Sequence, residues 1–241
     1  MDKFSLYVPN FLPFKEYFIP EKNQACPGCG LALAIRQSYK ALEKEIEKAT
    51  WQPLRGAEPF EERLDMFGMG KTEVSFLRIP KGKADIILCL DNEAGGSLSD
   101  VLEKPMPSIA VAEGFPYVAS ACPSYPFDLY EKVKRGFQTE GKSYIHILCP
   151  CPEDWKFDPE LTVKIGRWAV ESRAFPLYEE GGGVYHLTVE TQKPRSLSDY
   201  LKAQKRFEDL SEKEIEEAQA FVDAEYKKLL DTVQKYLDTT G

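Results

Sequence analysis

Two pairs of thiols stand out by their spacing. Cys26-Pro27-Gly28-Cys29-Gly30 sets two cysteines three positions apart around a Pro-Gly bend, and Cys149-Pro150-Cys151-Pro152 sets a second pair two positions apart far downstream. A CxxC bend points both sulfurs at one centre, which is how thiolates grip zinc or one face of an iron–sulfur cluster. Gly28 and Gly30 are expected to leave room for a bulky cofactor. The apolar run over 31–35 is expected to open a helix whose positive N-terminal end favours thiolates at the bend. On spacing alone, a tetrahedral zinc site, an iron–sulfur cluster and unliganded thiols all stay open.

Other residues with chemical potential are fewer. The chain has only two histidines, His146 and His186, which rules out a His-rich metal site. His146 sits in an apolar run and reads as a packed histidine. The loop Asp91-Asn92-Glu93-Ala94-Gly95-Gly96 follows another apolar run and reads as a strand-end turn or as a metal or phosphate site. The stretch 68–72 (GMGKT) invites a P-loop reading, but that pattern needs glycine at position 65, where Asp65 stands.

The elements that must position these residues follow from pattern. A helix is expected over 31–48, where Ala32, Ile35, Tyr39 and Leu42 recur at helical spacing. The stretch 50–83 is expected to be a long loop with a short helix near 61–66 and a strand over 74–79. Apolar strands are expected over 85–90, 117–122 and 144–148. Helices are expected over 107–114 and 126–139, and over 159–173 with Asp158 as N-cap and Pro159 at the first position. Alternating strands and helices predict βαβ units: an α/β fold with a mostly parallel sheet and flanking helices. In such sheets ligands gather at the carboxyl ends of strands. Both the 91–96 loop and the Cys149–Cys151 pair fall there. A hairpin over 175–188 turns at Gly181-Gly182-Gly183. Two terminal helices are expected over 196–207 and 211–238, the second opened by a Ser211/Glu214 capping box.

Length and composition bound the rest. The 241 residues, 43% of them hydrophobic, support one α/β domain over 1–195, with an aromatic N-terminal arm over 1–25 and a helical C-terminal arm over 196–241. A net charge of −8 argues against nucleic acid as the main partner. No apolar run is long enough for a membrane span, and the start lacks a signal-peptide pattern, so a cytoplasmic location is expected. Six cysteines in a reducing compartment favour metal ligands or buried thiols over disulfides.

Together these pieces resemble the thiamine-diphosphate-binding β subunit of 2-oxoacid:ferredoxin oxidoreductases, the pyruvate type in particular. The resemblance rests on ACPGCGLALAIR (25–36), ILCLDNEAGG (87–96), EGFPYVASA (113–121), SYIHILCPCPEDWKFDP (143–159), WAVESRAFPLYE (168–179) and PRSLSDYLKAQKRFEDLSEKEIEE (194–217). It implies a thiamine-diphosphate-binding-domain type of fold and a [4Fe-4S] cluster ahead of zinc. Electrons from oxidative decarboxylation of a 2-oxoacid would pass through that cluster to ferredoxin, with coenzyme A as acyl acceptor. The partners implied are the other subunits of a hetero-oligomeric complex. Cys26, Cys29 and Cys151 match cluster ligands; the family's remaining ligand has no cysteine counterpart at 50–60, and Cys149 is the candidate replacement. Asn92 and the carbonyl of Ala94 match positions that contact the Mg²⁺ of thiamine diphosphate. The family's Gly-Asp-Gly turn is absent, and Gly95-Gly96-Ser97 stands where Asn-Thr-Gly follows the DNEA loop. The expectation is therefore that this chain holds thiamine diphosphate poorly and is inactive alone. A non-thiamine paralogue, bearing a cluster or zinc in a larger assembly, is the alternative.

Overall fold

The structure, a computed structural model, describes residues 25–42, 74–81, 84–93 and 96–240. The N-terminal arm up to residue 24, the short helix at 61–66, the 68–72 stretch and Ala94 lie outside the described residues.

A six-stranded sheet forms the centre, in the order β1-β2-β4-β3-β5-β6. The strands are β1 (Val74–Lys81), β2 (Ala84–Asp91), β3 (Tyr117–Ala121), β4 (Gly141–Leu148), β5 (Tyr178–Gly181) and β6 (Val184–Leu187). The middle three, β2, β4 and β3, run parallel. Antiparallel strands close both edges. The predicted α/β class with a parallel centre is what the chain adopts, and the edges come from two hairpins.

Parallel strands covered on both faces should be apolar on both faces, and they are. Ile86, Leu88, Leu90, Ile145 and Ile147 pack on one face against α1 (Gly30–Leu42) and α4 (Pro126–Gln138). Ile87, Cys89, Val118 and Tyr144 pack on the other with Met106 and Ala110 of α3 (Pro105–Ala112). A third cluster gathers beyond the carboxyl ends of the strands. It joins Leu148, Cys151 and Trp155 to α6 (Thr162–Glu171), α7 (Leu197–Lys202) and α8 (Glu212–Thr240). Two further short helices are α2 (Leu98–Leu102), after the 91–96 loop, and α5 (Pro152–Trp155), after the second cysteine pair; the helix expected over 196–207 ends at Lys202 and resumes as a 3-10 turn at Lys205–Phe207.

Several predicted signals act as expected. Asp158 accepts from the Glu160 N–H at the start of a 3-10 turn that leads into α6. Ser211 and Glu214 exchange capping hydrogen bonds at the start of α8. Among the described residues no helix is long and apolar enough to cross a membrane.

Candidate functional site: the carboxyl ends of the central strands

Strands β2 and β4 are neighbours, so the loops at their carboxyl ends meet. The Cys149 N–H donates to the Asp91 carbonyl (2.7 Å), joining the second cysteine pair to the acidic loop. The CPGC bend reaches the same place from outside the sheet. Its Gly30 N–H donates to the Pro150 carbonyl (3.0 Å). The Thr162 hydroxyl on α6 holds its other side, donating to the Gly28 carbonyl (2.7 Å). The two cysteine pairs are thus brought together, backbone to backbone.

The glycines serve this contact. A Cβ on Gly30 would lie 2.5 Å from the Pro150 carbonyl oxygen, and one on Gly28, at φ +69°, 2.5 Å from the Pro159 oxygen. The space expected for a bulky cofactor at these two positions is filled by the chain itself, because only a missing side chain lets backbones approach so closely.

The four thiols differ in setting. Cys26 and Cys29 are half-buried and line a groove of about 360 Å³ together with Arg36, Glu160 and Val163. The Cys26 thiol is pushed up by burial and then by neighbouring Cys29 and Glu153. At Cys26 these effects outweigh the expected pull of the helix N-terminus. Cys151 donates to Asp154 Oδ2 (3.0 Å); burial and that bond push it up to about 12. Cys149 is fully buried among Ala34, Leu90 and Ile147, and burial holds it well above the usual thiol range. Among the described residues no group of three or more His, Cys, Asp or Glu side chains is placed to hold a metal ion. Cys26 and Cys29 offer an accessible two-thiol edge, while Cys149 and Cys151 would have to leave their present partners to join them at one centre.

The acidic loop is built around charge. Asp91 and Glu93 are 1% and 2% exposed. Lys104 reaches both, with Nζ 3.2 Å from Asp91 Oδ2, 2.8 Å from Glu93 Oε1 and 3.2 Å from the Asp100 carbonyl. Arg206 donates to Glu93 Oε2 (2.8 Å) and to the Glu93 carbonyl (2.9 Å), and its guanidinium lies 4.2 Å from the Trp155 ring centre. His146 Nε2 lies 2.9 Å from Asp91 Oδ2, and Tyr144 holds its other nitrogen at 3.0 Å. Burial opposes each of these charges, but mutual attraction wins. Lys104 and His146 hold Asp91 well below the usual carboxylate range. Asp91 and Glu93 lift Lys104 to about 12. Cys89 and Asp91 lift His146 to about 9.

Among the described residues of this loop, the charged donors are already engaged by the protein itself. The loop's two carboxylates already face Lys104, Arg206 and His146, and the Asn92 carbonyl accepts from the Trp155 indole (2.7 Å). A divalent ion needs several free oxygens in octahedral array. Sequence reasoning missed Lys104, Arg206, Trp155 and Thr162. The resemblance held Trp155 inside a matched segment, but nothing local marks Lys104 or Arg206 as partners of the loop.

No protein-family model matches the chain. Among curated proteins it is 43% identical over 127 residues to pyruvate synthase subunit PorB of Methanocaldococcus jannaschii, covering 53% of this chain and 43% of that protein. It is 33% identical over 129 residues to ketoisovalerate oxidoreductase subunit VorB of Pyrococcus abyssi, covering 53% of this chain and 42% of that protein. A PorB of Thermotoga maritima matches at 33% over 134 residues, with coverage of 54% and 41%. The chain spans less than half the length of the curated relatives it matches. Over about half of its own length, it resembles the PorB- and VorB-type β subunits of 2-oxoacid:ferredoxin oxidoreductases.

Proposed function

We propose that the chain works as a β-type subunit of a 2-oxoacid:ferredoxin oxidoreductase-like complex, with a metal centre, a [4Fe-4S] cluster, anchored at Cys26 and Cys29. The observation that carries this is the docking of the CPGC bend on the Cys149–Cys151 turn, through Gly30 and Pro150. That contact keeps four thiols at one end of the sheet, and the relatives' names supply the kind of complex. When bound, the cluster supplies one-electron transfer at low potential. The chain's own residues hold the bend, through Thr162 and Pro150, and cover the thiols behind it with apolar side chains. Cys151, and Cys149 if it leaves its core packing, complete the ligand set in this reading. The partners are the other subunits, and ferredoxin, coenzyme A and a 2-oxoacid are reactants of the whole assembly. Anaerobic purification of the full chain tests it. Iron, acid-labile sulfide and visible absorbance are expected, and all should fall sharply in Cys29→Ser. Zinc without iron, or iron unchanged in that variant, sinks the assignment.

A second reading has its own support. Lys104 and Arg206 neutralise the acidic loop from within, which favours a subunit that does not itself hold thiamine diphosphate. Calorimetry with Mg²⁺ and thiamine diphosphate is expected to give no heat of binding with the full chain. Micromolar binding that is lost in Asn92→Ala restores a catalytic role for the loop.

A further inference from the structure

We infer that the cleft between α8 and the β5–β6 hairpin is a binding site for a small organic carboxylate with an aromatic or apolar body, and that Arg173 is its anchor. The cleft has a volume of about 590 Å³, the size of a small-molecule pocket. It lies apart from the cysteine bend and involves none of the groups assigned to the proposed function except the edge of Lys104.

Among the described residues that line the cleft, Arg173 alone has a buried donor atom without a partner. Its Nε is buried with no hydrogen-bond partner. Nη2 donates to the Thr191 carbonyl (3.0 Å), and the guanidinium carbon lies 4.3 Å from the Tyr226 ring centre. Among the described residues no carboxylate pairs with it. Arg173 therefore brings to the cleft a positive charge that no described carboxylate neutralises, and a guanidinium held over a ring has little orientation left to lose on binding an anion. The backbone points the same way. Arg173 follows α6 at φ +66°, a left-handed position that glycine fills without strain. An arginine there is held in a costly conformation, a pattern that gathers at ligand sites.

The walls set the body of the ligand. Phe175 and Tyr226 line the cleft, as do Tyr178 and Tyr185, stacked with ring centres 5.9 Å apart. The other charges are not free to compete. Lys228 pairs with Glu225, and the Lys104 ammonium is spent on Asp91 and Glu93. Glu103 and Glu225 line the cleft as well and would disfavour a multiply charged anion, so a monocarboxylate suits the site better than a phosphate.

The test uses the full chain with benzoate, its neutral isostere benzamide, and phenyl phosphate, each titrated by ligand-observed NMR. Benzoate is expected to bind at least about tenfold more tightly than benzamide or phenyl phosphate. Arg173→Lys should keep part of that affinity. Arg173→Gly relieves the left-handed backbone, which offsets the lost Thr191 and Tyr226 contacts, and should still fold, as read by circular dichroism, while losing benzoate binding. Equal binding of benzoate and benzamide overturns the inference, as does unchanged binding in Arg173→Gly. A preference for phenyl phosphate overturns the carboxylate assignment, and no binding by any probe overturns the site. Iron content of the same preparations reads the proposed function separately, so the two can fail independently.

Discussion

Lys104 holds two buried acids at once, so its removal leaves both without their shared cation. Lys104→Met keeps the length of the stem and deletes the charge. The expected loss of stability is about 3–5 kcal/mol at neutral pH, read by denaturant unfolding. The loss should shrink in acid. Asp91 is held below its ordinary value of 3.8, so its contribution is present above that value and disappears only in strong acid as the folded group takes a proton. Without Lys104 that proton is taken more readily, and the variant closes part of the gap to the wild type. A deficit that stays constant down to strong acid would contradict this account. His146 gives the opposite slope. Its pKa rises from 6.5 to about 9, so its contribution is complete below 6.5 and fades as pH rises through about 9. His146→Gln should flatten the stability profile between those limits. The sequence displays the thiols plainly, since chemistry fixes their spacing. It does not display this network, because Glu93 and Arg206 stand 113 positions apart and an ion pair leaves no periodic trace in either segment.

At the scale of elements, α6 matters for what its first residue grips. Thr162 is 5% exposed, and its hydroxyl lies 2.7 Å from the Gly28 carbonyl and 2.9 Å from the Pro159 carbonyl. Thr162→Val keeps the shape and removes the donor. A loss of about 1–2 kcal/mol is expected, with faster alkylation of Cys26 and Cys29 as the bend loosens. If alkylation rates do not change, α6 does not hold the bend. Most elements were readable from sequence. Runs such as 85–90 are apolar on both faces, and Asp158-Pro159 marks a helix start. Helix α2 was not anticipated, because its capping box pairs Ser97 with Asp100 rather than with the Glu or Gln that usually announces one. The position of β4 between β2 and β3 was not readable either, because hydrophobic period tells which faces are buried and not which strand lies alongside.

At the scale of the whole molecule, the terminal helices decide how the site end is closed. Read from sequence, α8 is a charged arm, and its acidic and basic residues between Glu212 and Asp231 do face outward. Its other side carries Ile215, Ala218, Val222 and Tyr226, between 3% and 8% exposed, at the three- and four-residue spacing of a buried stripe. The first three join the cluster that holds Cys151, Trp155 and Phe207. Tyr226 is the face on which Arg173 lies. Helix α8 therefore depends on the site end, while the parallel strands are covered by α1, α3 and α4 and owe it little. Such a helix should open as a unit before the sheet does. Val222→Asp buries an unpaired charge in the stripe and should release it. Hydrogen exchange should then show rapid exchange along α8 with β2 and β4 still protected, and benzoate binding at Arg173 should be lost with it. If the strands lose protection together with α8, the chain unfolds as one cooperative body, and the helix is part of the core rather than a cover over it.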